Sequence, residues 1–275
     1  MARAPHPPAD GFDPAFVADV LDDALGHRGP GHGVRVYAIA GLQGSGKSTL
    51  AAQLAALARA RGLRCASLSI DDFYLGRGQR RRLARRVHPL LATRGPPGTH
   101  DVALACDTLD ALCAGRSARL PRFDKLADTR LPPSCWRDSG RVDLVLFEGW
   151  LLKTPPQDAT ALAAPINALE RDEDADGRWR RWCNRALADA YPPLWSRLDR
   201  LLFLQPPGFE VVPQWRWQQE CRLQASRPHH RGMTRPQLER FVQFYERVSR
   251  QALRTLPGLA ERTVPLDARR RPLPA

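Results

Sequence analysis

Lysine is almost missing from this chain. Of 42 basic residues, only Lys47, Lys125 and Lys153 are lysines; the rest are arginines. The formal net charge of +13 therefore comes from arginine, spread along the chain with short clusters at Arg80–Arg86 and Arg269–Arg271. Arginine in such excess, with abundant Ala, Pro and Gly, fits a GC-rich coding bias. Scattered charge is not the contiguous basic surface that a duplex requires, so nucleic acid is not the expected partner, whereas an anionic small molecule fits equally well. Long apolar runs are also lacking: none approaches the ~20 residues of a membrane span. Met1 to Asp10 is Pro-rich and has no apolar signal-peptide core, which makes the cytoplasm the expected compartment. The six cysteines, Cys65, Cys106, Cys113, Cys135, Cys183 and Cys221, contain no C-x-x-C pair, and no histidine spacing completes a zinc pattern. Each is read as a small buried apolar residue. His229 and His230 fall in an Arg-Pro-His-His-Arg stretch that reads as a solvated turn rather than a metal site.

What is present suits a globular α/β protein. The chain has 275 residues, 43% hydrophobic and 26% charged, enough for one large or two small domains. There is no internal repeat. Residues 1–12 read as a flexible arm, and Asp13 is placed to cap a helix over Pro14–Leu25 that Gly29–Gly33 breaks. Val34–Ala40 suits a buried strand. A Gly-rich turn follows, then a helix over Lys47–Arg61 with Leu50, Leu54 and Leu57 on one face, then a strand over Cys65–Ile70. Strand, turn, helix, strand is a βαβ unit, which implies parallel pairing. The stretch from Asp71 to Arg141 reads as irregular, with one helix capped by Asp101 carrying Val102, Ala105, Leu109 and Leu112 on one face. Further strands are expected at Val142–Phe147, Arg200–Leu204 and Arg262–Leu266. Helices are expected at Gly177–Asp189, at Phe209–Gln224 and after Thr234, where Thr234 and Gln237 have capping-box spacing. The expected fold class is α/β, three layers, with a mostly parallel five-stranded sheet between helices.

Gly41-Leu42-Gln43-Gly44-Ser45-Gly46-Lys47-Ser48 fits G-x-x-x-x-G-K-[ST], between a strand and the helix that Thr49 continues. Such a loop turns backbone N–H groups around a phosphate, and the helix N-terminus adds partial positive charge. Lys47 is placed for β- and γ-phosphates and Ser48 for Mg²⁺. Glu148 ends a strand at the sheet edge where ligands bind, and is the second candidate metal ligand. Asp71 and Asp72 end the second strand. Neighbours in extended backbone point opposite ways, so one of the two faces the phosphates as a candidate base and the other bonds nearby backbone.

Beyond the phosphate loop, Ser69-Ile-Asp-Asp-Phe-Tyr74, His88-Pro-Leu-Leu91, Arg94-Gly-Pro-Pro-Gly-Thr-His-Asp101, Leu120-Pro-Arg-Phe-Asp-Lys125 and Leu144-Val-Leu-Phe-Glu-Gly-Trp150 occur in this order, followed by Asn184, Tyr191 and Trp195. Over roughly residues 34–267 the chain resembles the D-glycerate 3-kinase family, within the P-loop small-molecule kinases that include uridine kinase, phosphoribulokinase and pantothenate kinase. The resemblance implies transfer of the γ-phosphoryl of ATP, with Mg²⁺, to a hydroxyl of an acidic acceptor, with D-glycerate giving 3-phosphoglycerate. It selects Asp71 over Asp72 as the base. It makes Arg94, His100, Asp101, Arg122, Asp124 and Lys125 candidates for the acceptor, and Arg216 and Arg222 candidates for a helical lid over the phosphates. The implied organisation is an N-terminal arm and helix over 1–33 and a kinase domain over 34–275, with an acceptor-binding insertion at 72–141 and a lid region at 206–233. His88 departs from the family, which carries Asn before Pro-Leu-Leu.

The rival readings are a kinase for a nucleoside or pantothenate-type acceptor, a nucleotide-binding regulator or nucleic-acid-stimulated ATPase, and a degenerate kinase that only binds nucleotide. A GTPase is disfavoured because none of the three lysines sits in an Asn-Lys-x-Asp element.

Overall fold

The computed structural model describes residues 11–26, 34–226 and 232–274. The expected arm over the first ten residues, the Gly29–Gly33 break and the His229-His230 turn lie outside the described residues. The central sheet contains β1 (Arg35–Gly41), β2 (Cys65–Ser69), β3 (Leu144–Gly149), β4 (Arg200–Gln205) and β5 (Arg262–Pro265), in the spatial order β2-β3-β1-β4-β5. Every pairing in it is parallel. The strands are buried on both faces, which is why they read as continuous apolar runs rather than alternating ones.

Alternate side chains feed two separate cores. Val36, Ala38, Ala40, Val145, Phe147, Leu201 and Phe203 face one way, and Tyr37, Ile39, Leu144, Leu146, Leu202 and Leu204 the other. Helix α1 (Pro14–Leu25) and helix α2 (Lys47–Ala60) cover the second face through Val20, Leu21, Leu50 and Leu54. Asp13 caps α1 by accepting from the amides of Ala15 and Phe16. The first face is covered by α4 (Val102–Cys113), α6 (Arg178–Asp189) and α9 (Arg235–Thr255). Asp101 caps α4 through the Leu104 amide at 3.2 Å, and Gln237 accepts from the Thr234 amide at the start of α9. The short helices α5 (Ala168–Glu173) and α7 (Pro192–Trp195) flank α6, while α8 (Val212–Ser226) runs beside the phosphate loop. Among the described residues, no helix is long and apolar enough to cross a membrane.

Three sequence expectations are corrected. The 71–141 stretch holds a second helix, α3 (Arg77–Arg86), which has no apolar stripe to announce it. Its Arg80, the first of the Arg80–Arg86 cluster, has 0% exposure. The guanidinium is satisfied by the carbonyls of Leu75 (2.6 Å) and Ala92 (3.1 Å) and by Asp128. Phe12 is not in a flexible arm: it is buried, and its amide and carbonyl both bond the Gln53 side chain at 2.9 Å. Of the cysteines, Cys106 and Cys183 are buried as expected, but Cys113, Cys135 and Cys221 are exposed.

Arg80→Ala is expected to cost about 2–4 kcal/mol in urea unfolding, because it removes the buried donor of the Leu75, Ala92 and Asp128 carbonyls and leaves the Asp128 carboxylate to Arg94 alone. A loss below 1 kcal/mol would show that the guanidinium carries no such weight.

Candidate active site

The phosphate loop leaves β1 at Gly41 and enters α2 at Lys47. Gly46, at φ 96°, is the N-cap and offers no side-chain cap, so the first amides of α2 stay available to an anion. Gly44, at φ 82°, lies so close to α8 that a Cβ would sit 2.7 Å from the Trp215 Cβ. Lys47 is buried and donates to the Leu42 carbonyl at 2.9 Å. Burial lowers its pKa, against the opposing pull of Glu148 and Asp71. A buried ammonium is costly without anionic partners, and a phosphate chain would supply them. Ser48 donates to Glu148 Oε1 at 2.8 Å, and Glu148 lies beside Ile39 in the β1–β3 register. A hydroxyl and a carboxylate at that spacing are hard oxygen donors of the kind Mg²⁺ takes while keeping several waters.

Asp71 and Asp72 sit on a 3₁₀ turn, Ile70–Phe73, rather than in extended backbone. They still diverge. Asp71 Oδ1 accepts from the Tyr74 hydroxyl at 2.8 Å and Oδ2 from Lys125 Nζ at 2.6 Å. Asp72 turns away and accepts from the Phe123 amide at 3.1 Å. Burial pushes the Asp71 carboxyl up, but the Lys125 ammonium and the bonds from Lys125 and Tyr74 outweigh it and hold the group well below the usual range. Burial raises the Asp72 carboxyl.

Lys47, Ser48, Asp71, Arg94, Lys125, Glu148 and Arg216 line one cavity. Arg94 is anchored by Asp128 Oδ1 at 2.6 Å, the same carboxylate that meets Arg80. Four candidates for acceptor binding do not line it. His100 lies behind Tyr74, stacked at 4.6 Å between ring centroids, with Nδ1 2.6 Å from the Tyr191 hydroxyl. Asp101 is spent on capping α4 and on Arg130 at 2.9 Å. Asp124 accepts from the Leu126 and Ala127 amides and shapes the turn that carries Lys125. Arg122 is exposed, beside Asp72. Asn184 bonds the Gln157 backbone. His88 accepts from the Leu90 amide through Nδ1 at 3.3 Å, a capping job open to Asn as well.

The sequence reading missed part of the wall. Tyr245 and Phe241 of α9 line the cavity, as does Trp150, whose buried Nε1 has no hydrogen-bond partner among the described residues. In the sequence Phe241, Phe244 and Tyr245 recur only at helical spacing, which marks a core face as readily as a site.

Arg222 faces a different cavity, on the other side of the loop, with Phe12, Gly46, Thr49 and Arg270. A Cβ on Gly46 would lie 3.1 Å from the Phe12 ring. Arg270, at φ 66°, donates to the Gly44 carbonyl at 2.6 Å and lies 4.8 Å over the Trp215 ring. Phe12 and Arg270 thus both brace the phosphate loop from this second cavity.

Burial lowers the His100 pKa from 6.5 to about 4. The unfolded chain then binds a proton that the folded one refuses between those values, so stability falls as pH drops from about 6.5 to 4, by ~3 kcal/mol. Denaturant titrations in that window should show a shallower acid slope for His100→Gln; an unchanged slope refutes the assignment.

Two curated relatives decide the family. The uncharacterized kinase mug58 of Schizosaccharomyces pombe is 33% identical over 220 residues, 76% of this chain and 78% of that protein. The chloroplastic D-glycerate 3-kinase of Arabidopsis thaliana is 31% identical over 216 residues, 74% of this chain. The chain belongs to the same kinase family as mug58 and is similar to D-glycerate 3-kinase. It is a P-loop kinase. It spans 44% of the length of the Arabidopsis protein. The solved D-glycerate 3-kinase from Cryptococcus neoformans var. grubii superposes with a TM-score of 0.74 at 26% identity, covering 94% of this chain and 96% of that one. No family model matches the chain.

Proposed function

We propose that the protein transfers the γ-phosphoryl group of ATP to a hydroxyl of D-glycerate, giving 3-phosphoglycerate. The observation that carries the reading is the single cavity in which Lys47 and Ser48 of the phosphate loop face Asp71, Lys125 and Arg94. Phosphates lie along Gly41–Thr49, with Lys47 and Arg216 on the γ-phosphoryl charge. Ser48 and Glu148 would hold Mg²⁺, which would supply neutralisation of phosphate charge. Asp71 accepts the hydroxyl proton while Arg94 and Lys125 take the acceptor carboxylate, Arg94 as a planar fork. Positioning and electrostatics carry most of such a transfer, since its transition state is loose. Segment 72–141 serves the acceptor and 206–233 covers the phosphates. The relatives named for glycerate support this acceptor, as does the cationic end of the cavity.

A coupled ADP-release assay across D-glycerate, uridine and pantothenate tests it. ADP release that depends on glycerate is expected. Release driven by uridine or pantothenate instead, or by added RNA or DNA, would replace the reading.

A further inference from the structure

We infer that Lys125 selects for a carboxylate by exchanging partners: it gives up Asp71 to the acceptor's carboxylate and thereby releases the base. The inference rests on the proposed glycerate reaction and deepens it.

Both Asp71 oxygens carry a donor, Tyr74 at 2.8 Å on Oδ1 and Lys125 at 2.6 Å on Oδ2. A general base needs a lone pair aimed at the proton it takes, and Lys125 lies against the outer oxygen. The two partners differ in freedom. The Lys125 side chain is 60% exposed and the Asp71 side chain 26%. Lys125 stands on a short turn held by Asp124, and its flexible four-carbon stem can swing the ammonium. Arg94, the second cation of the acceptor end, is fixed through Asp128, which also meets Arg80. One cation is anchored by Asp128 and the other is paired with the base itself.

An acceptor with its own carboxylate offers Lys125 an anion in exchange for Asp71, so the swap keeps every charge paired. The freed Oδ2 then takes the hydroxyl proton as that oxygen bonds the γ-phosphorus. The bond from phosphorus to the bridging oxygen breaks, its electron pair leaving with ADP. A neutral polyol offers no anion, and Asp71 stays capped. The carboxylate thus acts on turnover as well as on binding, which is where selectivity between similar acceptors is set.

The test is steady-state kinetics of the full chain, wild type, Lys125→Met and Lys125→Arg, with D-glycerate and with glycerol, recording the ATP KM in each. Lys125→Met should raise the glycerate KM about tenfold or more and raise the glycerol kcat several-fold, with the ATP KM kept, and Lys125→Arg should restore most of the glycerate preference. Opposite signs on the two acceptors are what a structural ion pair would not produce. Parallel losses on both acceptors, or glycerate kcat/KM within twofold of wild type, overturn the exchange while leaving the proposed reaction intact. Failure of the wild-type chain to phosphorylate glycerate removes the reaction and the inference together.

Discussion

Lys47→Ala is expected to abolish measurable phosphoryl transfer under any acceptor concentration. Lys47 lies at the start of α2, buried, with Glu148 and Asp71 as the acids that oppose the lowering of its pKa. Among the described residues its ammonium donates to the Leu42 carbonyl at 2.9 Å. Bound phosphates would turn a costly buried charge into a stabilising one, and the gain grows as charge moves onto the transferring group. Alanine removes that gain and leaves two acids facing phosphate. Calorimetry should show weakened ATP binding, and a discontinuous ADP assay should read background. Retention of more than a few per cent of wild-type turnover would place the phosphates elsewhere.

Asp71→Asn is the second large effect. The amide keeps the size of the side chain and can still accept from Tyr74, but it cannot take a proton. A kcat lower by about 10²–10⁴ is expected, the range typical of a lost general base, with the ATP affinity largely unchanged. The two variants therefore separate cleanly: one fails at the phosphates, the other at the acceptor hydroxyl. Near-full activity of Asp71→Asn would show that positioning alone carries the reaction and that Asp71 is not the base.

The parts of the molecule legible in the sequence are those governed by local rules. The run over Val34–Ala40 announced β1 because both of its faces are buried. Asp13 and Asp101 announced helix starts because a carboxylate there reaches amides two or three residues on. The phosphate loop announced itself through glycine spacing. Asp71 was separated from Asp72 only by resemblance; the extended-strand argument gave the right divergence on a backbone that turns out to be a 3₁₀ turn.

The acceptor end was less legible, for a physical reason. Which of Arg94, His100, Asp101, Arg122, Asp124 and Lys125 reaches the cavity depends on a two-residue ladder, Phe123–Asp124 against Thr129–Arg130, and on tertiary bonds such as Asp72 to the Phe123 amide. Nothing periodic marks those contacts. The burial of Arg80 was not legible because a guanidinium enters a core only when several carbonyls and an acid surround it, and these come from residues 5 to 48 positions away. Arg270 escaped notice for the same reason, since its partner Gly44 is 226 residues distant.

That pairing, together with Phe12 against Gly46, has a bearing on how the molecule senses its nucleotide. A loop held by an aromatic ring and a guanidinium cannot tighten around phosphates alone. Segments far apart along the chain must settle with it, so nucleotide occupancy should register as protection of both the Phe12 and the Arg270 segments from proteolysis and amide exchange, at residues outside the loop itself.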